Sequence, residues 1–381
     1  MARPEPERLT LRIGGVDWEG WKTVTISRQM DAISSEFKLG LADRWQHGAE
    51  ALPLAAGMPC EVLIGGEAVV DGHLDKAEFS VNQTSHEVSV SGRDRAADLV
   101  DCAAIHRPGL WRDLDALELA RELAGPFGVE VRKDGGVEVG EKFGTFKLEE
   151  GETAFDALDR ALRQRGLLAM PGGRGGILLA RLAGERASTA LVQGANVKES
   201  SSSFDMSERF SDYIVKGQRA GTDNDYGESC AAVRGEARDE GVARYRPFMV
   251  RAEGQVTDGD AIRRARWEAS TRAARSVTVS VSLAGWRQDD GSLWKINTLV
   301  PCRLPYLRIE QDLLVSRLTF SLTMDGGTVS RLELKDPKAF EPEPPKKKDG
   351  GAGGGAGKKG GELQQESADS AWGAHKEMTG D

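Results

Sequence analysis

Apolar and polar positions alternate in short runs through the first hundred residues, as in Leu9-Thr10-Leu11-Arg12-Ile13, Val24-Thr25-Ile26, Phe37-Lys38-Leu39 and Val88-Ser89-Val90. A period of two sends successive side chains to opposite faces, so these runs predict half-buried strands. Gly14-Gly15, Gly65-Gly66 and Asp71-Gly72 separate them and supply the positive φ of tight turns. The clearest hairpin has Gly65-Gly66 between Glu61-Val62-Leu63-Ile64 and Ala68-Val69-Val70. A small antiparallel barrel or sandwich is expected here.

The period lengthens near Asp113, where Leu114, Leu117, Ala120, Leu123 and Ala124 recur at helical spacing until Gly125-Pro126 stops the run. A second helix is predicted from Thr153, whose hydroxyl can cap exposed amides, with Phe155, Leu158 and Leu162 on one face and Gly166 at its end. Each helix precedes a short apolar strand candidate, Val129-Glu130-Val131 and Leu167-Leu168-Ala169-Met170. Together they predict a small α+β unit between β-rich parts. From about Phe210 the alternation returns in Tyr213-Ile214-Val215-Lys216, then in Ser276 to Leu283, Thr298 to Leu304 and Leu313 to Leu322, which implies a second β domain. A helix from about Asp258 to Arg275 interrupts it, capped by Thr257 or Asp258, with Ile262, Ala265 and Ala269 on one face.

After Phe340 the chain turns to Glu-Pro-Glu-Pro-Pro-Lys-Lys-Lys and an Ala/Gly run, which cannot bury enough apolar area to offset chain entropy. The last stretch, Glu362 to Asp381, regains helix formers. There Leu363 and Trp372 are the candidate partner contacts, with a disordered end as the alternative. The fold class expected is α+β and β-rich. Residues 1–100 form a first β domain, 101–190 a small two-helix α+β domain, 191–340 a second β domain with the inserted helix, and 341–381 a flexible tail.

A length of 381 residues suits two to three packed units. Forty-six glycines against four tyrosines reinforce the reading of many turns and short elements. A net charge of −9 argues against a duplex-binding surface, because phosphate contacts need clustered cations. No run approaches the roughly 18 to 20 uncharged apolar residues of a membrane span, and the N-terminus lacks the apolar core of a signal peptide. Folding in the cytoplasm is expected. Cys60, Cys102, Cys230 and Cys302 stand far apart with no Cys-x-x-Cys, so they are expected as buried reduced thiols.

Catalytic chemistry is sparse. His47, His73, His86, His106 and His375 are scattered singly, and no His-Glu-x-x-His or Gly-x-Ser-x-Gly sequence occurs, so no metal, cofactor or nucleophile site is expected. Gly357-Lys358 fails as a phosphate loop because Ala352 and Lys359 occupy positions that need Gly and Ser or Thr. Gly172-Gly173-Arg174-Gly175-Gly176 reads as a hairpin turn between apolar strands rather than a dinucleotide loop. Glu149, Glu150 and Glu152 could pose as an acid/base pair but sit where a helix start favours negative charge. Arg263, Arg264, Arg266, Arg272 and Arg275 make the third helix basic, and a solvated or subunit-facing role is preferred to nucleic-acid binding.

Arg264-Ala265-Arg266-Trp267-Glu268, then Gly285-Trp286-Arg287, Gly291-Ser292-Leu293-Trp294, Asn297-Thr298-Leu299-Val300 and the closing Leu332 to Phe340 stretch form a distinctive framework. With Leu11 to Trp45 and Phe146-Lys147-Leu148-x-x-Gly151-Glu152-Thr153, it resembles the tail protein P family, the phage Mu-like baseplate hub proteins, over about residues 8 to 340. The resemblance implies two related antiparallel β-barrels flanking α+β parts, assembled as a homotrimer whose six barrels form a pseudo-sixfold ring. It further implies a place in the virion tail baseplate between a sixfold tail tube protein and a threefold, membrane-piercing central spike protein. Baseplate wedge proteins would be neighbours, and the DNA channel would pass through without sequence-specific binding. No enzyme activity and no small-molecule ligand go with that role. Trp267, Trp286, Trp294, Gly285 and Gly291 would be its structural framework, the tryptophans as core or barrel-closing residues. Two alternatives stay open: a tail-carried peptidoglycan hydrolase, and a type VI secretion spike-complex relative, which usually continues into a β-helical needle.

Overall fold

The computed structural model describes residues 7–43, 54–82, 86–218 and 233–344. The first β part contains seven strands: β1 (Leu9–Ile13), β2 (Val16–Trp18), β3 (Thr23–Gln29), β4 (Glu36–Asp43), β5 (Pro59–Ile64), β6 (Glu67–Val81) and β7 (His86–Asp94). Gly14-Gly15 and Gly65-Gly66 form the turns between β1 and β2 and between β5 and β6, all four at positive φ. Asp71-Gly72, read as a turn from sequence, lies inside β6 instead. A Cβ on Gly72 would approach the Arg93 carbonyl oxygen to 1.9 Å, so glycine is needed there for close contact with β7, not for chain reversal.

The middle part comprises α1 (Ala97–Asp101), β8 (Leu110–Trp111), α2 (Ala116–Ala124), β9 (Val131–Lys133), β10 (Phe146–Lys147), α3 (Ala154–Arg163), β11 (Leu168–Pro171) and β12 (Ile177–Ala180). Asp115 and Thr153 each close a capping box, which fixes the starts of α2 and α3. The first helix therefore begins at Ala116, later than the periodicity from Asp113 suggests, because Asp115 is spent on the cap. Residues 172–176 join the antiparallel pair β11 and β12, as their hairpin reading expects. Leu119, Leu123, Leu158 and Leu162 bury against Trp111 and Phe146 in a core of their own.

The second β part holds β13 (Glu185–Arg186), β14 (Leu191–Val192), β15 (Val197–Phe204), β16 (Asp212–Gln218), β17 (Val233–Arg238), β18 (Pro247–Gln255), α4 (Asp258–Arg275), β19 (Val277–Ala284), β20 (Thr298–Arg303), β21 (Asp312–Thr323) and β22 (Gly327–Lys335). Thr257 caps α4 as its sequence predicts. The Tyr213 to Lys216 run is a strand, but β16 lies in a separate three-stranded sheet, ordered β17-β16-β18, that packs on α4 around Tyr213, Val215 and Ala265. Period two identifies a strand without saying which sheet receives it.

The remaining strands of the two β parts form one curled, largely antiparallel sheet whose main path is β15-β19-β22-β21-β3-β4-β7-β6-β5-β1-β2. The two β parts meet at β21 and β3, paired from Arg317 opposite Gln29 to Leu322 opposite Val24. One apolar core runs under both, from Leu11, Ile26 and Leu39 to Val281, Leu318 and Leu332. Within the sheet a five-strand pattern occurs twice. Strands β3, β4, β5, β6 and β7 pair in the order β3-β4-β7-β6-β5, and β15, β19, β20, β21 and β22 pair as β15-β19-β22-β21-β20. Even the bulge repeats, between Leu74 and Lys76 on β6 and between Val315 and Arg317 on β21. Aligning the bulges makes Ala77 equivalent to Leu318 and Val90 to Leu332, since each pair faces its partner at the same step. The small sheet and α4 occupy the connection between β15 and β19, where the first unit has only the short link from β3 to β4.

Candidate assembly surface

The Trp and Gly framework sits where the second β unit meets the first. Trp286 is fully buried, its Nε1 donates to the Ser321 carbonyl at 3.1 Å, and its ring lies 6.1 Å from that of Phe320. Trp294 is equally buried, and its amide donates to the Trp286 carbonyl at 3.3 Å. Gly285 and Gly291 both adopt positive φ, which lets the chain turn sharply between the two indoles. Arg287 projects from this loop onto Glu67 at 2.6 Å and onto Glu7, so the loop clamps the first unit's hairpin and leading segment. Trp267 differs from these two. It is half-buried on α4, donates through Nε1 to the Glu341 carbonyl at 2.9 Å, and carries the Arg264 guanidinium 4.7 Å above its ring. It holds the segment that follows β22 rather than filling a core.

The basic face of α4 is largely neutralised within the chain. Glu268, itself buried, accepts from Arg264 at 2.8 Å and from Arg272 at 2.9 Å, while Arg263 meets Asp260 and Arg264 also meets Glu343. Arg275 donates to the Ala339 carbonyl at 2.9 Å. Of the five arginines, Arg266 and Arg275 are exposed. Cations already engaged by carboxylates and carbonyls make a poor phosphate-binding stripe, and Arg263, Arg264 and Arg272 act as internal ties, while Arg266 and Arg275 stay exposed as the solvated-face reading expects.

The acidic trio behaves as its helix-start position suggests. Glu152 is held by Arg160 at 2.8 Å and accepts from the Glu149 amide at 2.7 Å, which ties the turn before α3. Among the described residues, no three His, Cys, Asp or Glu side chains gather as a metal site. His106 stacks on Trp111 with ring centroids 4.2 Å apart. Cys60 and Cys302 are buried, and burial pushes both thiols up to about 12. Cys102 is exposed, contrary to the expectation from sequence, because it follows the last turn of the short α1 at the surface. Cys230, Leu363 and Trp372 lie outside the described residues.

Two polar ties escaped the sequence reading. Asp94 is buried and accepts from the Ser35 amide at 2.8 Å and the Asp71 amide at 3.0 Å. Burial raises its carboxyl, and these hydrogen bonds together with nearby Arg28 oppose that rise. Arg28 in turn donates to Ser35 Oγ at 3.2 Å and to the Val69 carbonyl, so the group fastens β3, β6 and β7. Arg209 donates to Asp239 at 2.5 and 2.9 Å and closes one end of the small sheet. No motif spacing announces either tie, because the partners are distant in sequence.

Several exposed large apolar side chains lie on strands. Phe79 and Val81 on the far half of β6 are 48% and 70% exposed, and Phe204 at the end of β15 is 56% exposed. Single exposed apolar residues are ordinary; several on unpaired sheet edges mark a place for another chain.

Comparison with known proteins matches this chain to three family descriptions. Residues 8–94 match "Mu phage baseplate assembly protein GpP-like, N-terminal", residues 96–181 match "Baseplate hub protein gp44-like, second domain", and residues 257–343 match "Mu phage baseplate assembly protein GpP, fourth domain". The chain is 34% identical to the baseplate hub protein gp44 of Escherichia phage Mu over 338 residues, covering 87% of this chain and 88% of that protein. Among solved structures it is similar to the 43 kDa tail protein of prophage MuSo2 from Shewanella oneidensis, with a TM-score of 0.79 and 30% identity over 88% of this chain and 99% of that one. A tail protein from Neisseria meningitidis MC58 has the same fold, with a TM-score of 0.72 and 22% identity over 89% of this chain and 99% of the other.

Proposed function

This chain belongs to the baseplate hub family of Mu-like phages, and on that footing we propose that three copies form a ring joining a sixfold tail tube to a threefold central spike. The observation that carries this reading is the internal repeat. One chain supplies two β units of the same topology, so three chains supply six. A ring built that way meets a sixfold partner on one side and a threefold partner on the other without breaking its own symmetry. The opening along its axis is the channel for DNA, which passes without base recognition. The work is geometric and non-enzymatic. Assembly takes place in the host cytoplasm, alongside the baseplate wedge proteins.

Trp286, Trp294, Gly285 and Gly291 serve as the framework that locks the two units of a chain at a fixed angle, while Trp267 anchors the segment leading to the tail. Leu363 and Trp372 are the proposed spike contact. Size-exclusion chromatography with light scattering tests the ring: a mass of three chains is expected, and a chain that stays monomeric at every concentration overturns the reading. Deleting residues 345–381, which leaves the segment tied by Trp267 intact, is expected to reduce spike recovery in copurification. Unchanged recovery removes the tail from that role.

A further inference from the structure

Strand β6 is longer than its neighbour on one side. Its first half pairs with β5 as far as His73 opposite Pro59, whereas residues 75–81 pair only with β7 among the described residues. Among the described residues, no strand pairs with their outward amides and carbonyls. At the other end of the sheet, β15 pairs only with β19 among the described residues, so its outer edge has no partner strand there either.

The internal repeat says what these two edges are. Strand β21 is the equivalent of β6, and its second half is not free: it carries β3, antiparallel, from Arg317 to Leu322. Strand β15 is the equivalent of β3. From this we infer that the second half of β6 pairs with β15 of a second copy of this chain, in the register that β21 and β3 display within one copy. The inference rests on the ring reading and names the strands that close it.

Counting from the bulges sets the register. Lys76 takes the place of Arg317, Phe79 that of Phe320 and Val81 that of Leu322. Ser200, Ser202 and Asp205 take the places of Val24, Ile26 and Gln29. The pairing therefore puts Ser80 opposite Ser201, Phe79 opposite Ser202 and Val81 opposite Ser200.

Three observations agree with it. Phe320, covered by β3, is 1% exposed, whereas Phe79 at the same position is 48% exposed, as expected of a residue whose covering strand belongs to another molecule. Core-facing Phe79 and Val81 meet small serines, so large side chains find room. Inside the chain, Arg317 donates to Gln29 Oε1 at 2.5 Å, and the copy-to-copy equivalent sets the ammonium of Lys76 against the carboxylate of Asp205. Pairing one patch with a different patch is a heterologous contact, the kind from which rings are built.

Cysteine crosslinking tests the register. In a Cys102→Ser, Cys230→Ser background, the Ser80→Cys, Ser201→Cys variant is expected to run as a covalent trimer on a non-reducing gel after mild oxidation. Thr25→Cys with Ser321→Cys, the equivalent pair inside one chain, is the positive control. A light-scattering trimer in which the control locks and the Ser80 pair does not overturns the strand pairing and leaves the ring reading standing. A chain monomeric at all concentrations overturns the ring reading and the pairing with it. Phe79→Asp is expected to shift trimer dissociation at least tenfold with an unchanged melting temperature, and an unshifted trimer counts against the pairing.

Discussion

Phe79 and Phe320 occupy equivalent positions in the two β units, on strands that bulge at the same place, yet one is half-exposed and the other buried. The difference does not lie in either strand. It lies in the neighbour: β21 has β3 on the side away from β22, whereas the second half of β6 has no strand on the side away from β7 among the described residues. The same sequence pattern thus yields a core residue in one unit and an assembly residue in the other. Burial is a property of the assembled neighbours as much as of the side chain.

The largest effect that tests this contrast comes from truncating each ring. Phe320→Ala removes a fully buried aromatic that packs on Trp286, and a loss of about 3–5 kcal/mol in chain stability is expected. Phe79→Ala at the equivalent site is expected to stay within about 0.5 kcal/mol in the monomer. Chemical denaturation of both variants, read by tryptophan fluorescence, measures the gap. Equal losses would mean that Phe79 is already covered within one chain.

A second contrast concerns the ends of β7 and β22. Asp94 ends β7 and accepts two buried amides beside Arg28, whereas Asp336, the next residue after β22, caps a short 3-10 turn over Pro337–Phe340 by accepting from the Lys338 amide at 2.9 Å. Asp94→Ala leaves two amides without their acceptor, removes the charge that faces Arg28, and is expected to cost about 3 kcal/mol. Asp336→Ala removes one exposed cap and should cost about 1 kcal/mol. Reversal of that order, measured by urea unfolding, would place the polar lock in the second unit.

The two units also fill one core slot in opposite ways. The first pairs Phe37 with Gly92, and the second pairs Val279 with Leu334. A Cβ on Gly92 would come within 2.8 Å of the Phe37 ring and 2.1 Å of the His73 carbonyl oxygen, so Gly92→Ala is expected to cost about 1–3 kcal/mol through overpacking. A smaller loss would show that the first unit tolerates the second unit's division of volume.

Such swaps explain how much could be read beforehand. The alternating runs, the capped helices starting at Ala154 and Asp258, and the Gly65-Gly66 hairpin were legible because their signals are local. The repeat was expected only through the family resemblance and not from the residues, because Phe37 with Gly92 and Val279 with Leu334 share a shape rather than a sequence. The destination of Tyr213 to Lys216 and the Arg28 and Asp94 lock depend on partners dozens of residues away, and periodicity carries no such information. The Trp and Gly framework pointed to the family. It marks the clamp between the two units of a chain and not the edges where copies would meet.

The smallest effect discriminates most finely between a covered strand and one awaiting cover. Arg317 and Gln29 meet inside the chain, and Lys76 and Asp205 are their counterparts across the inferred contact. Backbone and side-chain hydrogen bonds from Ser207 hold the Asp205 carboxyl below its ordinary value, so it is charged at neutral pH. An exposed ion pair contributes about 0.2–1 kcal/mol and weakens with salt. Lys76→Glu should therefore leave the melting temperature of the monomer unchanged while raising trimer dissociation by up to about fivefold at each contact. Adding Asp205→Lys to the same chain should restore it, since the pair is then reversed in every interface. Sedimentation at low and high salt reads both changes. A double variant no tighter than the single one would separate Lys76 from Asp205 and shift the register of the contact.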